Sequence, residues 1–222
     1  MDAVRAIVFD FDGVLANSEP LHFRALQELL ASLGVTLTEP DYYSTYVGYD
    51  DVGVFQIIAA REGWALDARQ VARLVERKSE IFQDLTASAD VLFPSAIPCI
   101  ERLAPVFPLG IASGALRHEI LTILRHHRLE DRFAFVVASG DTPLGKPAPD
   151  PYVRAAALHG QPASACLAIE DSRWGIESAR AAGLFCVGVT TTYPATELCN
   201  ADRVVDSLDA VDPDWVRRLV TE

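Results

Sequence analysis

Asp10 and Asp12 stand two residues apart where the apolar run RAIVFD, residues 5–10, gives way to Gly13. Two carboxylates that close repel each other, so the pair calls for a cation or a shared proton. An Asx turn or a helix cap is the plain structural alternative. A second apolar run ends Ile111-Ala112-Ser113-Gly114. A hydroxyl and backbone N–H groups at a helix entry form an anion site, or Ser113 simply caps the helix. Lys146 lies in Gly145-Lys146-Pro147-Ala148-Pro149-Asp150, with glycine on one side and prolines on the other. Proline restricts the backbone, so this loop is a holder that an ordinary surface lysine does not need. An ammonium there could neutralise a phosphoryl group and nearby aspartates together. A fourth apolar run ends Ala168-Ile169-Glu170-Asp171-Ser172. Adjacent acids at the end of a buried strand are costly unless paired or metal-bound. Hard oxygen donors suit Mg2+, which takes few carboxylates and keeps several waters. An N-cap by Asp171 or Ser172 is the competing reading.

These residues need a scaffold that brings strand ends together. Apolar runs at 5–10, 107–113, 133–139, 166–170, 185–190 and 203–206 lack strict alternation, as expected of parallel strands covered on both faces. Helical patterns lie between them. One covers residues 116–127, one opens with Asp150 as N-cap before Pro151, one runs from Gly175 to Gly183, and the last begins at Asp212-Pro213. Alternation of this kind implies an α/β fold with a doubly wound, Rossmann-like parallel sheet. In such sheets ligands bind beyond the carboxyl ends of the strands, where three of the polar stretches fall, and a loop presents Lys146.

From about Ser18 to Leu85 the alternation stops and only helices are expected. Leu21, Ala25, Leu26, Leu29, Leu30 and Leu33 form one stripe closed by Gly34. A helix starts near Thr38 and Pro40, another spans 51–62 before Gly63, and a last one is capped by Asp67, with Val71, Leu74, Val75, Ile81 and Phe82 as its stripe. The expected organisation is a core of residues 1–15 and 88–222, and an inserted helical bundle, residues 16–87, acting as a cap. The hinges fall near 15–18 and 85–93.

The chain has 222 residues, a formal net charge of −12 and a hydrophobic fraction of 50%. That is enough to bury a core without staples. The acidic balance argues against a nucleic-acid partner. No run is long enough to cross a bilayer and no signal peptide is visible, so a cytoplasmic protein with no membrane partner is expected. Cys99, Cys166, Cys186 and Cys199 form no Cys-x-x-Cys pair and read as free thiols.

Taken in order, Asp-Phe-Asp-Gly-Val, then Ser113, then Gly-Lys-Pro-Ala-Pro-Asp, then Ile-Glu-Asp-Ser resemble the four motifs of the haloacid dehalogenase superfamily. The resemblance covers nearly the whole chain. It is greatest to the branch holding β-phosphoglucomutases, phosphoglycolate phosphatases and related sugar-phosphate phosphatases, which carries an α-helical cap. It implies Asp10 as nucleophile and Asp12 as general acid/base. It implies phosphoryl binding by Ser113, Gly114 and Lys146. Glu170 and Asp171 would hold Mg2+ alongside Asp10 and the backbone carbonyl of Asp12. His22 falls where that branch often places a histidine near the active site, with a plain helix-surface histidine as the alternative, and Arg77-Lys78 resembles the basic pair on a cap helix of β-phosphoglucomutases, with a solvated helix face as the alternative.

The implied activity is a Mg2+-dependent phosphatase for a small phosphorylated metabolite, working through an aspartyl phosphate. A phosphomutase is the alternative, and a non-catalytic binding protein a third. Asp12 argues against a halide substrate, since the superfamily's dehalogenases lack that acid. Gly48-Tyr49-Asp50-Asp51 stands where the mutases carry an arginine that grips a second phosphate, and this favours the phosphatase. Ser113-Gly114-Ala115 lacks the second serine often found there, and Trp174 belongs to either the cleft rim or the core. A monomer is expected, with a homodimer as the alternative.

Overall fold

The computed structural model describes residues 3–47, 49–86 and 90–219. The first strand, β1 (Ala6–Phe9), is followed by four helices: α1 (Glu19–Ser32), α2 (Glu39–Thr45), α3 (Asp51–Glu62) and α4 (Ala68–Thr86). Then come α5 (Ala96–Leu103), β2 (Leu109–Ala112), α6 (Arg117–His126), β3 (Phe133–Val137), α7 (Asp150–His159) and β4 (Cys166–Glu170). The chain ends with α8 (Arg173–Ala181), β5 (Phe185–Val189), β6 (Arg203–Val205) and α9 (Pro213–Arg218).

The six strands lie in the order β3-β2-β1-β4-β5-β6, and every pairing is parallel. This is the expected doubly wound sheet. All residues of β1, β2 and β4 are buried, which explains why their sequences are apolar without alternation. In register, Phe9 pairs with Ile111 on one side and Ile169 on the other. The residues that follow these three strands therefore leave the sheet side by side.

The chain divides into two compact units, Met1–Asn17 with Leu92–Glu222, and Ser18–Val91. In the first unit the chain is tied across the excision. Ala16 makes an antiparallel bridge to Leu92, and the Phe93 N–H donates to the Leu15 carbonyl at 2.9 Å. The expected second hinge runs through residues 87–89, which lie outside the described residues.

The inserted unit is built as a bundle around Leu26, Leu29, Leu30, Tyr42, Phe55, Ile58 and Val71. Its helices are stopped by local chemistry. Thr38 caps α2, Asp50 caps α3 through the Gly53 N–H at 2.8 Å, and α3 ends at Gly63 with φ +70. Asp67 and Gln70 cap each other's backbone N–H groups before α4, both at 2.8 Å.

Four expectations need correction. Leu33 is 45% exposed, because it lies one residue past the end of α1 and leaves the apolar stripe. The buried face of α4 includes Lys78 and Ser79, while Leu74, Val75 and Ile81 are only half-buried. Asp150 is the first residue of α7 and not its cap. Helix α5 was not expected at all; its Pro98 sits in the first turn, where a missing N–H costs nothing. All four cysteines are free, and among the described residues no helix is long and apolar enough to span a membrane.

Ile169 is fully buried in β4, next to the acidic strand end. Truncating Ile169→Ala removes buried surface and leaves a cavity, with an expected cost of about 3 kcal/mol. Urea titration should show a lower midpoint with little change in slope.

Candidate active site

Asp10 follows β1 directly and is tethered by its own backbone. Its N–H donates to the Ile169 carbonyl at 2.9 Å, and the Phe11 N–H donates to Asp10 Oδ1 at 2.7 Å. Lys146 Nζ lies 2.9 Å from the same oxygen. Lys146 also donates to Glu170 Oε1 at 2.6 Å. The loop carrying it is held at both ends: the Ala148 N–H donates to the Gly145 carbonyl at 2.9 Å, and the Ser178 hydroxyl of α8 donates to the Ala148 carbonyl at 2.6 Å.

Glu170 and Asp171 end β4. Glu170 is fully buried, and its carboxylate accepts from four groups: Lys146, the Tyr152 hydroxyl at 2.7 Å, the Asp171 N–H at 3.1 Å and the Ser172 hydroxyl at 3.3 Å. Ser172 in turn caps α8, its hydroxyl accepting from the Gly175 N–H at 3.1 Å. A side chain on Gly175 would overlap the Glu170 carboxylate, so glycine there is a packing requirement. Gly13 is constrained in two ways. Its φ is +77, and a Cβ on it would collide with Asp171 Oδ2 and Thr192 Oγ1.

One ligand oxygen each from Asp10, Glu170 and Asp171 lies within 4.8 Å of the others, and all three residues are buried. Like charges at that spacing repel by about 3.5 kcal/mol at an effective dielectric of 20. Burial raises the Asp10 pKa to about 7, helped by Glu170 and Asp12 and opposed by Lys146. Asp171 is pushed up by burial first, then by Glu170 and Asp10; the Thr192 hydroxyl and Lys146 oppose this. Burial works against the Lys146 ammonium, but Asp10 and Glu170 outweigh it, so its pKa rises and it stays charged. With all three carboxylates ionised, one ammonium leaves two negative charges in a buried site. A hard divalent cation fits that deficit and that donor set.

Asp12 is half-buried and bridged to Ala16 in the turn after β1. Ser113 is buried after β2, where its Oγ accepts from the Ala115 N–H at 3.1 Å; Gly114 is exposed beside it. Both follow the strand that pairs with β1.

His22 and Lys78 belong to the inserted unit and meet there. Lys78 Nζ is 2.8 Å from His22 Nδ1 and 2.6 Å from Asp51 Oδ1, while the His22 ring stacks on Phe82 with centroids 4.1 Å apart. Trp174 makes an edge contact with Tyr193 at 6.1 Å and lies beneath the Arg173 guanidinium. Three residues escaped sequence reasoning. Tyr152 reads as an ordinary core residue of α7, yet it reaches Glu170. Thr191 donates to the Gly13 carbonyl, and Thr192 hydrogen-bonds the Asp171 carboxylate. A run of three threonines after β5 was the available signal.

The family model for haloacid dehalogenase-like hydrolases matches residues 4–183. The chain belongs to that family. As a haloacid dehalogenase-like hydrolase it has relatives with phosphatase names. It is 30% identical to hexitol phosphatase B of Escherichia coli (strain K12), over 91% of this chain and 89% of that protein. It is 33% identical to the protein CbbY of Rhodobacter capsulatus, over 86% of this chain and 87% of that one. The crystal structure of CbbY from Rhodobacter sphaeroides in complex with phosphate superposes with a TM-score of 0.87 at 25% identity, covering 96% of this chain and 99% of that one. The chain is thus a hydrolase of the haloacid dehalogenase-like family, with phosphatases among its relatives.

Raised carboxyl pKa values have a measurable consequence. Without metal, the folded hydrolase keeps protons on this cluster that the unfolded chain has already released between about pH 4 and pH 7. Stability of the metal-free protein should therefore fall as pH rises through that window. A cation needs the deprotonated carboxylates, so its stabilising effect should grow over the same window. Millimolar Mg2+ is expected to raise the Tm more near pH 8 than near pH 5 in thermal unfolding.

Proposed function

We propose that this hydrolase is a Mg2+-dependent phosphatase that acts on a small phosphorylated metabolite, a sugar phosphate or related phosphomonoester, with Asp10 as nucleophile. The reading is carried by one observation: Lys146 Nζ lies 2.9 Å from Asp10 Oδ1 within a group of buried acids that a single ammonium cannot neutralise. Asp10, Asp171 and Glu170, with the backbone carbonyl of Asp12, would hold Mg2+. When bound, the ion supplies positive charge to the oxygens of the transferring phosphoryl group.

Asp10 attacks phosphorus and forms an aspartyl phosphate, dividing one hard displacement into two. Lys146, fixed by Glu170, faces the charge that grows on the phosphoryl oxygens. The Ser113 hydroxyl and the N–H groups around Gly114 serve as further anion donors. Asp12 gives its proton to the departing oxygen, then takes one from the water that hydrolyses the intermediate. Hexitol phosphatase B and the phosphate-bound CbbY, by their names, support a phosphorylated substrate of this class.

The phosphomutase alternative is disfavoured by the acids at the start of α3. Asp50 is engaged as a helix cap and Asp51 pairs with Lys78, so acids stand where a second phosphate would need an arginine. Gly48 lies outside the described residues.

The test is phosphate release from p-nitrophenyl phosphate with and without Mg2+. Asp10→Asn should lower kcat by at least about a thousandfold, since it removes the nucleophile. Full Mg2+-dependent turnover by that variant would overturn the assignment. A requirement for a bisphosphate activator, with isomerised product and no free phosphate, would establish the mutase instead.

A further inference from the structure

We infer that Tyr152 is a positioning residue for phosphoryl transfer: its hydroxyl fixes the Glu170 carboxylate so that Lys146 stays against Asp10. The inference rests on the reading of Asp10 as the nucleophile. Tyr152 is the third residue of α7 and fully buried. Its O–H donates to Glu170 Oε1 at 2.7 Å, the oxygen that also receives Lys146 Nζ at 2.6 Å. The other oxygen, Oε2, receives the Asp171 N–H and the Ser172 hydroxyl. Each Glu170 oxygen therefore has two donors, which fills the roughly four lone-pair sites of a carboxylate. Gly175 closes the remaining space behind it.

The type of donor matters as much as its place. A second cation at Oε1 would compete with Lys146 for the same oxygen. A phenylalanine would leave that buried oxygen one donor short, and an unmade hydrogen bond to a buried charge is expensive. A neutral hydroxyl avoids both. Lys146 Nζ also lies 5.2 Å from the centroid of the Tyr152 ring, so the same side chain offers the ammonium a π-face. Removing only the hydroxyl keeps that face and frees the carboxylate to turn. The ammonium it anchors then leaves Asp10 more of the time.

Tyr152→Phe tests this, and the sequence provides an unusual readout. The chain contains two lysines, Lys78 and Lys146, and both are held in ion pairs. Amine labelling of the metal-free, full-length protein, followed by mass spectrometry, can read Lys146 against Lys78 as an internal reference. In the variant Lys146 should label about tenfold faster, with Lys78 unchanged. With Mg2+ present, kcat for p-nitrophenyl phosphate should fall about tenfold, and the inhibition constant of inorganic phosphate should rise by a similar factor. In a Glu170→Gln background, adding Tyr152→Phe should change neither value further.

A merely structural tyrosine would lower the Tm and leave Lys146 labelling and phosphate inhibition where they were; that result overturns the inference. Absence of phosphate release by the wild-type chain would count against the phosphatase reading, while the labelling ratio would still decide the role of Tyr152.

Discussion

Three carboxylates and one ammonium share a water-poor volume at the end of a parallel sheet, and the arrangement around them is a response to that imbalance. Asp10, Glu170 and Asp171 would repel one another if left to themselves. Lys146 answers part of the charge, and the hydroxyls of Tyr152, Ser172 and Thr192 and the N–H groups of Phe11 and Asp171 spread the rest over dipoles. What is left over is a demand for positive charge. A divalent cation would answer that demand, and the acid cluster has the hard oxygen donors to hold one.

Topology makes the cluster possible. With β1 between β2 and β4, the residues after these three strands emerge together, although they are separated by about a hundred and by sixty residues in sequence. Lys146 comes from a loop outside the sheet and needs more help. That help is the tie from Ser178 to Ala148 and the anchor at Glu170. The glycines at 13 and 175 complete the geometry by leaving room where two carboxylates must lie against backbone.

Much of this was legible in the residues alone. A buried strand that ends in an acid draws attention, because an acid after an unbroken apolar run is costly unless it is paired, capping or metal-bound. The strand and helix order followed from the same contrast of apolar runs with 3.6-residue stripes. Other features were hidden for physical reasons. Tyr152 is as apolar as its helix requires, and its hydroxyl acts only through a partner that tertiary folding supplies. Lys78 and Ser79 lie on the buried face of α4, where periodicity predicts hydrocarbon, because Asp51 and His22 arrive from other helices to meet the ammonium. Pro98 masked α5, since a proline in a helical stretch reads as a breaker until its position in the first turn is known. The threonine run after β5 marks Thr191 and Thr192 as unusual but does not say that they reach Gly13 and Asp171.

The backbone pairing of Leu15 and Ala16 with Phe93 and Leu92 bears on how such a molecule can diversify. Because the outgoing and returning strands are joined to each other within the sheet-bearing unit, the polypeptide between them is a side branch from the sheet's point of view. Lengthening such a branch costs only a slowly growing loop-closure entropy. Descendants of the gene can therefore lose, gain or redesign helices in the branch while the buried carboxylate of Asp10, at the end of β1, keeps its place.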